Sequence, residues 1–529
     1  MKIWENAKEW GRGLMHRLAE AGAALAVPPG REYGDVFEII EAPGLRQYYT
    51  SAIRLWHCLY RGAYEPWHTV AAPTIVNPNG RRQLYRLNAA RAICAELAGL
   101  VWGEEAQIRV GAPGGEELDG FVQDVLRRNA FHGRMQGLVE QILALGGGAV
   151  KVWAEPGDAG ETVIRLGYAA ADQFVPLSWD DARVREGVFI SRREWRGRTY
   201  TRLEWHRRRG GMYVIENELY SAAEQIGTGA QTDALGTRRP LAELYPGLQE
   251  RTAIRTGDSL FSYIRTPMAN NLDAACPLGM SLYGNALETL HALDICYDSF
   301  VSEFRLGRKR IIVPARCVRM VADPQTGAMR RYFDATDEVY AAFAADDAEG
   351  MKISDNSVQL RVEEHVAALN AFLAALCLQT GFSPSAFSFD PKGGIRTATE
   401  VVSENSRTFK TVRTVQNQLA GALEHIVRNI IDVAALYGMT WNGRSVASLA
   451  ADGYEVKITF DDGVTQDRQT NLKEGVMLAG AGLLSRLTVL TDKRYGIGMT
   501  EAEARAELER VKSEQTARAD VRDRFDTAE

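Results

Sequence analysis

Three long stretches in the second half of the chain carry apolar residues at alternating intervals of three and four, the periodicity of a helix with one buried face. They cover residues 281–306, 361–379 and 397–437. At 1.5 Å per residue, the first is about 39 Å long and the third about 60 Å. Gly307 and Gly381 follow the first two stretches, and each is expected to end its helix. The apolar stripe of the first stretch comprises Leu282, Ala286, Leu290, Leu293, Tyr297, Phe300 and Phe304.

Two segments between these helices interrupt the helical period. Residues 308–356 predict a compact α/β insertion, with strands at 308–314 and 330–335 joined through a turn at 323–327 that contains Pro and Gly. Residues 383–396 predict a loop rich in Gly and Pro. An insertion and a loop between three such helices are unusual in a compact enzyme.

The first half of the chain predicts helices followed by strands. Residues 163–220 contain alternating strands separated by glycines, which is typical of an antiparallel meander. Residues 221–259 are polar and show no period. The helices are predicted at 1–26, 47–65, 86–102 and 117–144.

The remaining segments are short. Residues 453–460 predict one strand, residues 466–514 three short helices, and residues 515–529 a charged, disordered tail. Capping boxes are expected to open two helices. They are formed by Thr397 with Glu400 and by Thr500 with Glu503. Together these patterns predict an α+β fold that is mainly helical.

The composition is that of a globular protein of three or four domains, with 529 residues, 46% of them hydrophobic. The net charge of −6 argues against tight binding of nucleic acid through phosphate neutralisation, although it allows weak contact. Charged residues interrupt residues 1–26, so no secretory signal is expected there. The most apolar stretch, 366–378, is too short to cross a bilayer, so no membrane partner is expected.

Motifs for catalysis, metals or cofactors are missing from the sequence, and we expect no catalytic residue, no metal site and no cofactor. The nearest approach to a phosphate-binding loop is Gly146–Gly148 with Lys151, which lacks the required ending and leads into a strand. Asp461–Gly463 lacks the ligand spacing of a calcium loop and indicates a solvated turn. His291 and His425 lie in long helices, where packing or solvation is expected. Six cysteines without paired spacing are expected to be reduced and buried.

Basic residues concentrate in two places. Residues 192–209 contain eight arginines, which indicate either a nucleic-acid face or, as we favour, a solvated sheet edge or salt bridges to a neighbouring subunit. Residues 305–310 close the first long helix, where cations interact favourably with the helix dipole.

The order of these parts resembles the portal proteins of tailed bacteriophages, particularly those of long-tailed siphophages. The resemblance is spread over most of the chain, and no single motif in it is diagnostic. The stretches that carry it are RLNAARAICAELAGLVWGEE at 86–105, NNLDAACPLGMSLYGNALETLHALDICYDSF at 270–300, GFSPSAFSFDPKGGIRTATEVVSENSRTFKTVRTVQNQL at 381–419 and KEGVMLAGAGLLSRLTVLTDKRYGIGMTEAEARAELERVKSE at 473–514.

The resemblance implies a portal fold with a wing, a stem, a clip and a crown around a channel for double-stranded DNA. On this sequence the parts would be a wing at 1–276, stem helices at 277–306 and 361–380, a clip at 307–360, a tunnel loop at 381–396, a long tunnel and wing helix at 397–438, a returning wing strand at 439–463, crown helices at 464–514 and the tail at 515–529.

The same resemblance implies the partners and the location of the protein. It implies a homo-oligomeric ring of about twelve subunits at one capsid vertex, which is a structural assembly and not an enzyme. DNA would pass through the channel without sequence specificity during packaging and ejection. The clip would contact the terminase large subunit and later the head–tail adaptor, and the major capsid and scaffold proteins would be further partners. The protein would belong to the virion and would be assembled in the host cytoplasm.

Candidate site residues follow from these assignments. In the tunnel loop, the basic residues beside a flexible glycine pair are the candidates for DNA contact, with ordinary solvated loop charges as the alternative. They are Lys392, Gly393, Gly394 and Arg396. In the clip, the candidates for terminase and adaptor contact are Arg308, Lys309, Arg310, Asp323 and Gln325.

Two other classes of protein are less consistent with the sequence as a whole. Another minor structural protein of the virion would share that absence, but the order helix, insertion, helix, loop and helix argues against it. A metal-dependent DNA-processing enzyme could use scattered carboxylates. Such an enzyme would be a small oligomer with metal-dependent cleavage.

Overall fold

The computed structural model of the protein contains both helices and sheets, with more residues in helices than in strands among the described residues. The helical share is the larger, in agreement with the mainly helical α+β fold predicted from the sequence. The described residues are 33–73, 77–103, 106–113, 115–157, 160–180, 183–223, 233–274, 276–307, 311–312, 319–322, 327, 329–332, 354–355, 359–384, 386–389, 405–460, 468–492, 499 and 503–513.

Twelve helices lie within these residues, and the first of them contains a π-helical middle part. They are α1 (Pro43–Gln47, π-helical Tyr48–Ile53 and Arg54–Tyr60 in continuation), α2 (Glu65–His68), α3 (Ala89–Val101), α4 (Glu117–Arg128), α5 (Phe131–Leu145), α6 (Leu287–Leu306), α7 (Val362–Thr380), α8 (Ser406–Leu436), α9 (Val446–Leu449), α10 (Arg468–Gly480), α11 (Arg486–Thr491) and α12 (503–513). Three short 3-10 turns are Val36–Ile39, Ala171–Gln173 and Leu241–Glu243.

The strands of the described residues form two larger sheets and five two-stranded pairs. They are β1 (Thr69–Ala71), β2 (Arg81–Gln83), β3 (Gln107–Gly111), β4 (Gly147–Pro156), β5 (Thr162–Ala170), β6 (Phe174–Asp180), β7 (Arg183–Trp195), β8 (Arg198–Arg209), β9 (Met212–Ala223), β10 (Thr237–Arg239), β11 (Arg251–Ile254), β12 (Phe261–Arg265), β13 (Ile311–Ile312), β14 (Arg319–Ala322), β15 (Met329–Tyr332), β16 (Ser354–Asp355), β17 (Thr440–Trp441), β18 (Arg444–Ser445) and β19 (Glu455–Thr459).

The larger sheet confirms the predicted meander. Its order is β10–β9–β8–β7–β6, with β11 also paired to β9, and all pairs are antiparallel. The two-residue loop between β7 and β8 consists of Arg196 and Gly197, both at positive φ (51° and 68°). The loop between β8 and β9 has Gly210 and Gly211 at 57° and 79°. Positive φ at both central positions matches the right-handed twist of the strands, so the glycines of the sequence pattern set these hairpins.

The smaller sheet and the helices enclose the main core. Its order is β12–β4–β5, and α5 packs on β4 and β5. The long helix α8 packs on β4, β12, α3 and β19, so it lies through the middle of the described structure. Leu423, Ile426 and Ile430 of α8 are fully buried. The three/four stripe predicted for this helix is therefore its core face.

The prediction of a single helix at 117–144 is wrong. Residues 117–144 form two helices, α4 and α5, because the chain breaks at Asn129 and Ala130, the latter with φ of 48°. The Asn129 amide nitrogen donates to Ile164 O at 2.9 Å, and its amide oxygen accepts from Leu166 N at 3.0 Å. This buried amide ties the break to β5, a contact that local periodicity does not reveal.

The first long helix is shorter than predicted, because residues 281–286 form turns ahead of α6. Its 20 residues span about 30 Å. Gly307 follows α6 as expected, but at a φ of −76°, so it is not the left-handed cap that the sequence suggested. A Cβ there would clash with Leu360 and lie 2.7 Å from Glu303 O, which is the constraint on this position.

The polar segment 221–259 contains more structure than predicted. β10 and β11 both pair with β9, which itself extends to Ala223. Strands β1, β2 and β3 were also missed, since each has only three to five residues, although β3 does alternate between exposed and buried positions. The partner of β3 is β19. The strand at 453–460 is confirmed as β19.

Other predicted helices are confirmed with shifted ends. α1 corresponds to 47–65, α3 to 86–102, α7 to 361–379, and α10 to α12 to the three helices within 466–514. On α3, Leu100 is 39% exposed, whereas Cys94 and Val101 are buried. The helix at 1–26, the start of the third long helix at 397–404, Asp461–Gly463 and the tail at 515–529 lie outside the described residues.

A charged network is buried between the two larger sheets. Lys151 of β4 and Arg202 of β8 both bind the carboxylate of Glu204, and His206 Nε2 lies 3.0 Å from Glu204 Oε1. His206 Nδ1 lies 2.8 Å from the Tyr213 hydroxyl. Lys151, the residue of the rejected phosphate loop, is therefore part of the internal structure.

Burial and the neighbouring charges shift the pKa values of Glu204 and His206 in opposite directions. Burial disfavours ionisation of Glu204, but Lys151, His206 and Arg202 outweigh it and hold the pKa of Glu204 well below its usual range. Burial lowers the pKa of His206, and Glu204 only partly offsets this. The unfolded chain therefore binds protons more readily at both groups, so stability should fall as the pH drops below about 6.5.

We predict that Glu204→Gln destabilises the protein by about 3–5 kcal/mol, because it leaves Lys151 and Arg202 buried without their shared anion. The double variant Lys151→Met/Glu204→Gln should recover part of this loss, since one of the two cations is removed with the carboxylate. The urea dependence of the circular dichroism signal measures both.

The control is Glu424→Gln on α8, whose half-exposed carboxylate pairs with Arg428 at 2.6 Å. An exposed i, i+4 pair contributes about 0.3–0.5 kcal/mol, so this variant should unfold almost as the parent does. Equal losses for Glu204→Gln and Glu424→Gln would contradict the assigned role of the buried network.

Candidate functional site

Two antiparallel helices, α6 and α7, form the part of the molecule from which the insertion and the loop depart. The C-terminal end of α6 faces the N-terminal end of α7, where the ring of Phe300 lies 5.4 Å from that of His365. Leu293 of α6 and Leu376 of α7 are fully buried. The pair therefore confirms the two long helices predicted around the insertion.

The middle of α6 is anchored by two buried carboxylates one helical turn apart. Asp294 accepts a hydrogen bond from Leu87 N at 3.0 Å, and its other oxygen lies 3.1 Å from His68 Nε2. Asp298 accepts from both terminal nitrogens of Arg82, each at 2.7 Å.

Asp298 also accepts a hydrogen bond from Tyr85 N at 3.0 Å. Hydrogen bonding to Arg82, with a smaller contribution from Tyr85, holds the pKa of Asp298 below its usual range despite partial burial. The four-residue spacing places Asp294 and Asp298 on one face of α6. That face is fixed to the segment 68–87.

The base of the insertion is closed by a bidentate ion pair. Arg361 donates from Nη2 to Glu303 Oε2 at 2.8 Å and from Nε to Oε1 at 3.2 Å. The hydrogen bond from Arg361 lowers the pKa of Glu303 to about 2. Glu303 lies at the end of α6 and Arg361 just before α7, so this pair holds together the two chain segments that leave for the insertion and return from it.

The described parts of the insertion are strands. β13 pairs with β16 near the base, and β14 pairs with β15 in a hairpin. Gly327, at a φ of 68°, lies between β14 and β15, at the position where a turn was predicted. The predicted strand at 330–335 corresponds to β15, whereas the partner of β13 was not foreseen.

The base of the loop after α7 is held by backbone and hydroxyl groups. Gly381 ends α7 at a φ of 83°, as predicted, and its carbonyl accepts from Thr411 Oγ1 of α8 at 2.7 Å. Ser383 N donates to Thr408 Oγ1 at 2.9 Å, and the two buried hydroxyls lie 3.2 Å apart. Phe389 N donates to the side chain of Asn370 at 2.9 Å. The first residues of the loop, Gly381 and Ser383, are thus held to α8, and Phe389 is held to α7.

All residues that the sequence nominated as site residues lie outside the described part of the chain. In the loop these are Lys392, Gly393, Gly394 and Arg396, and in the insertion Arg308, Lys309, Arg310, Asp323 and Gln325. The structure describes the residues from which these segments depart. They are Glu303 and Arg361 at the base of the insertion, and Ser383 and Thr408 at the base of the loop.

The site residues that sequence reasoning missed are the carboxylates of α6. Asp294 and Asp298 follow Leu290 and Leu293 on the buried stripe, where a carboxylate is costly unless it is paired. Two acidic residues spaced by four beside an apolar stripe were the available signal. Their partner, Arg82, could not be assigned without the fold.

The outer surface of the helix pair exposes large apolar side chains. Ile295 is 48% exposed and Leu306 67%, and on α7 Leu378 is 58% exposed. On α6, Ile295 and Leu306 lie on one side, about 20° apart, whereas the exposed Phe304 lies on the opposite side; Phe372 of α7 is also exposed. A surface pair of helices normally presents polar residues to solvent, so these exposed apolar side chains are suited to contact with other protein surfaces.

The arginine-rich stretch 192–209 is largely satisfied within the chain. Arg202 binds Glu204, Arg192 Nη2 lies 3.6 Å from Asp233 Oδ1, and Arg208 donates to Gly257 O. Arg207 lies over the ring of Trp205 at 3.9 Å. β7 and β8 are interior strands of the sheet, so these arginines do not line a sheet edge. Arg193, Arg198 and Arg209 are exposed, and salt bridges from them to a neighbouring subunit stay a prediction.

The remaining candidate groups have structural surroundings. His291 stacks on Trp67 with ring centroids 4.6 Å apart, and His425 Nε2 lies 3.4 Å from Asp258 Oδ2. Five of the six cysteines are described; all five are free, and Cys94, Cys276 and Cys377 are buried.

Within the described residues, no group of three or more His, Cys, Asp or Glu side chains is arranged to hold a metal ion. No helix among the same residues combines the length and apolarity needed to cross a membrane.

Comparison with known proteins assigns the family. Residues 46–519 match the family described as "Phage portal protein, SPP1 Gp6-like". The match covers most of the sequence, and the chain belongs to this phage portal family. Its role is that of a portal, the head–tail connector of a phage particle, and the resemblance found in the sequence is confirmed.

The comparison with solved structures includes a remote similarity. A chain of the structure titled "Neck of empty GTA particle computed with C6 symmetry" has 13% sequence identity and a TM-score of 0.33, over 75% of this chain and 86% of that chain. No curated protein sequence matches the chain.

The family assignment separates the three classes considered from the sequence. It supports the portal over another minor structural protein of the virion. The family is a structural one, unlike the DNA-processing enzyme that was the third possibility.

We predict that Asp298→Ala lowers the free energy of unfolding by about 2–3 kcal/mol, because Arg82 and Tyr85 N lose their shared acceptor. The contribution of Asp298 should be present above its ordinary pKa of 3.8 and be lost as the pH falls through its lower folded pKa. Urea unfolding at pH 7 and at pH 3 measures the two effects.

Glu65→Ala is the matched control, because Glu65 pairs with the neighbouring Arg81 at 3.5 Å and both side chains are exposed. Such a pair contributes about 0–1 kcal/mol. If Asp298→Ala were no more destabilising than Glu65→Ala, the carboxylate would not be the anchor of α6.

Proposed function

We propose that copies of this chain assemble into a closed ring through the α6–α7 pair and that double-stranded DNA passes through the ring during packaging and ejection. The observation that carries the proposal is the apolar outer face of these helices in a member of a phage portal family. Heterologous contacts between neighbouring copies cover such a face and close into a ring when the rotation between copies allows it. A ring of about twelve subunits is the expected form.

The parts of the chain are assigned to the parts of a portal on this basis. The wing would comprise 1–276 and the returning strand at 439–463, the stem the helices at 277–306 and 361–380, and the clip the insertion at 307–360. The tunnel loop would be 381–396 and the long tunnel and wing helix 397–438. The crown would be 464–514, followed by the tail at 515–529.

The partners are assigned from the same scheme. The insertion extends from a base fixed by Glu303 and Arg361, which favours it as a stable platform for the terminase large subunit and then for the head–tail adaptor. The wing would face the major capsid and scaffold proteins. The protein would be assembled in the host cytoplasm and retained in the virion at the portal vertex.

The electrostatics suit a conduit. A net charge of −6 per subunit gives the ring a strongly negative charge, which repels phosphate and keeps the affinity for DNA low. Lys392 and Arg396 in the loop would supply a few local contacts to the phosphate backbone, and Gly393 and Gly394 would let the loop follow the DNA. The loop base held by Ser383 and Thr408 fixes where these contacts are made.

We predict that Leu378→Glu with Ile295→Glu prevents ring formation without unfolding the subunit, because both side chains are exposed in one chain and would be buried between copies. Sedimentation velocity should show a shift from a large oligomer to a monomer at equal protein concentration. The circular dichroism spectrum should remain unchanged.

Leu272→Glu is the control, since Leu272 has the same 58% exposure as Leu378 but lies outside the helix pair. It should leave the oligomer intact. An unchanged oligomer for the double variant would contradict the use of the α6–α7 face.

We predict that Lys392→Gln with Arg396→Gln leaves ring assembly intact and reduces the amount of DNA that is packaged or retained in heads, because phosphate contacts in the channel are lost. Lys410→Gln with Lys457→Gln removes the same charge from two exposed positions outside the loop and serves as the control. Normally filled heads from the loop variant would remove the role assigned to these two residues.

A further inference from the structure

The hairpin that joins β7 and β8 ends in a turn that is held against the sheet. Arg196 and Gly197 form this turn, and the guanidinium carbon of Arg196 lies 4.2 Å from the ring centroid of Trp195. Trp195 in turn contacts Tyr200 edge to face, with ring centroids 5.9 Å apart. Tyr200 is buried in the sheet. The side chains at the end of the hairpin therefore have defined positions.

The strand register places two arginines of the hairpin on one face of the sheet. Arg193 is paired with Tyr200, and Arg198 with Trp195. The members of a cross-strand pair point to the same face, and residues two apart on one strand do so too, so these four side chains share a face. Arg193 and Arg198 are diagonal neighbours on this face, about 7–8 Å apart.

Three exposed arginines at the end of the hairpin form what we call the basic tip: Arg193, Arg196 and Arg198. Among the described residues, none of them forms an ion pair. Glu194, the carboxylate of the hairpin itself, is paired with Thr199 and points to the opposite face of the sheet. The carboxylate of Glu243 acts on Arg198 only at a distance, because Arg239 holds that carboxylate at 2.8 Å. The basic tip therefore carries a local positive charge on a chain whose net charge is −6.

The sequence left two partners for these arginines, a nucleic acid or a neighbouring subunit, and the geometry favours the nucleic acid. Duplex DNA carries one negative charge per about 1.7 Å of its axis, so several guanidinium groups on a rigid support meet phosphates whatever the register of the duplex. An acidic protein would have to place a separate carboxylate opposite each arginine. Because Arg196 already covers the ring of Trp195, we expect contact with phosphates rather than stacking on bases.

We propose that the basic tip is a second DNA-contacting surface, which binds the phosphate backbone of duplex DNA without sequence specificity and apart from the loop at 381–396. The rigid hairpin, the shared face of its arginines and their lack of ion-pair partners among the described residues carry the proposal. It rests on the proposed function in taking double-stranded DNA as the polyanion that this protein meets. A few phosphate contacts on a chain of negative net charge give weak and salt-sensitive binding.

The affinity of the full-length protein for a fluorescent duplex of about 30 base pairs, measured by anisotropy between about 50 and 200 mM NaCl, tests the proposal. The tip variant is Arg193→Gln with Arg196→Asn and Arg198→Gln. Asparagine is chosen at position 196 because it adopts a positive φ readily and precedes glycine in the favoured hairpin turns, so the hairpin is kept. Binding at about 100 mM NaCl should weaken about tenfold. The slope of log affinity against log salt should become shallower by about 2–3, since each lost phosphate contact removes about 0.9.

Two controls separate the basic tip from general effects of charge. Arg61→Gln with Arg86→Gln and Arg255→Gln removes the same charge from three exposed positions outside the tip. This variant should weaken binding by less than about twofold, because salt screens charges more than about 10 Å from the contact. Replacing the three tip arginines by lysine should preserve the salt slope, because lysine binds phosphate as a point charge.

Weaker binding and a shallower salt slope in the tip variant alone support the proposal. An unchanged affinity, or an equal loss in the tip and control variants, would overturn it. A fall in the native mass of the tip variant with unchanged DNA binding would identify the partner as a neighbouring copy and would also overturn it. The native mass keeps the two proposals apart, because a tip-dependent affinity in a protein that forms no ring would support the basic tip and contradict the ring.

Discussion

The pairing of Asp294 and Asp298 with the segment 68–87 is the interaction on which the rest of the arrangement depends. Two carboxylates on the inner face of a helix are costly to bury unless each is satisfied, and here a histidine, an arginine and two backbone amides satisfy them. The helix pair is thereby fixed to the body of the subunit on one side, while its other side remains free to meet a neighbouring copy.

A fixed helix pair explains why the insertion and the loop depart from defined points. At one end Glu303 and Arg361 hold the chain where the insertion begins and ends, and at the other Ser383 and Thr408 hold the base of the loop. If these segments contact other proteins and DNA, as proposed, such contacts are made at defined positions only if the bases of the segments do not move. The ion pair at the base of the insertion and the hydrogen bonds at the base of the loop hold these positions in place.

Local signals in the sequence sufficed where structure is set locally. α7 was predicted almost to its ends because Gly381 stops it in the left-handed conformation, and the meander because glycine pairs form its hairpins. Local signals were insufficient where contacts between residues far apart in the sequence determine the structure. The break at Asn129 depends on β5, and the partner of Asp298 is Arg82, more than two hundred residues away. The family could be recognised from the order of its parts, whereas the nominated loop and insertion residues fall outside the described chain.

The central claim is that the exposed faces of α6 and α7 are subunit interfaces around a hole wide enough for duplex DNA. Electron microscopy of the purified full-length protein, together with its native mass, tests this most directly. The account predicts closed rings of about twelve subunits with a central opening. A homogeneous monomer at concentrations at which portals are purified, with its apolar helix faces exposed to solvent and no ring in any image, would contradict it.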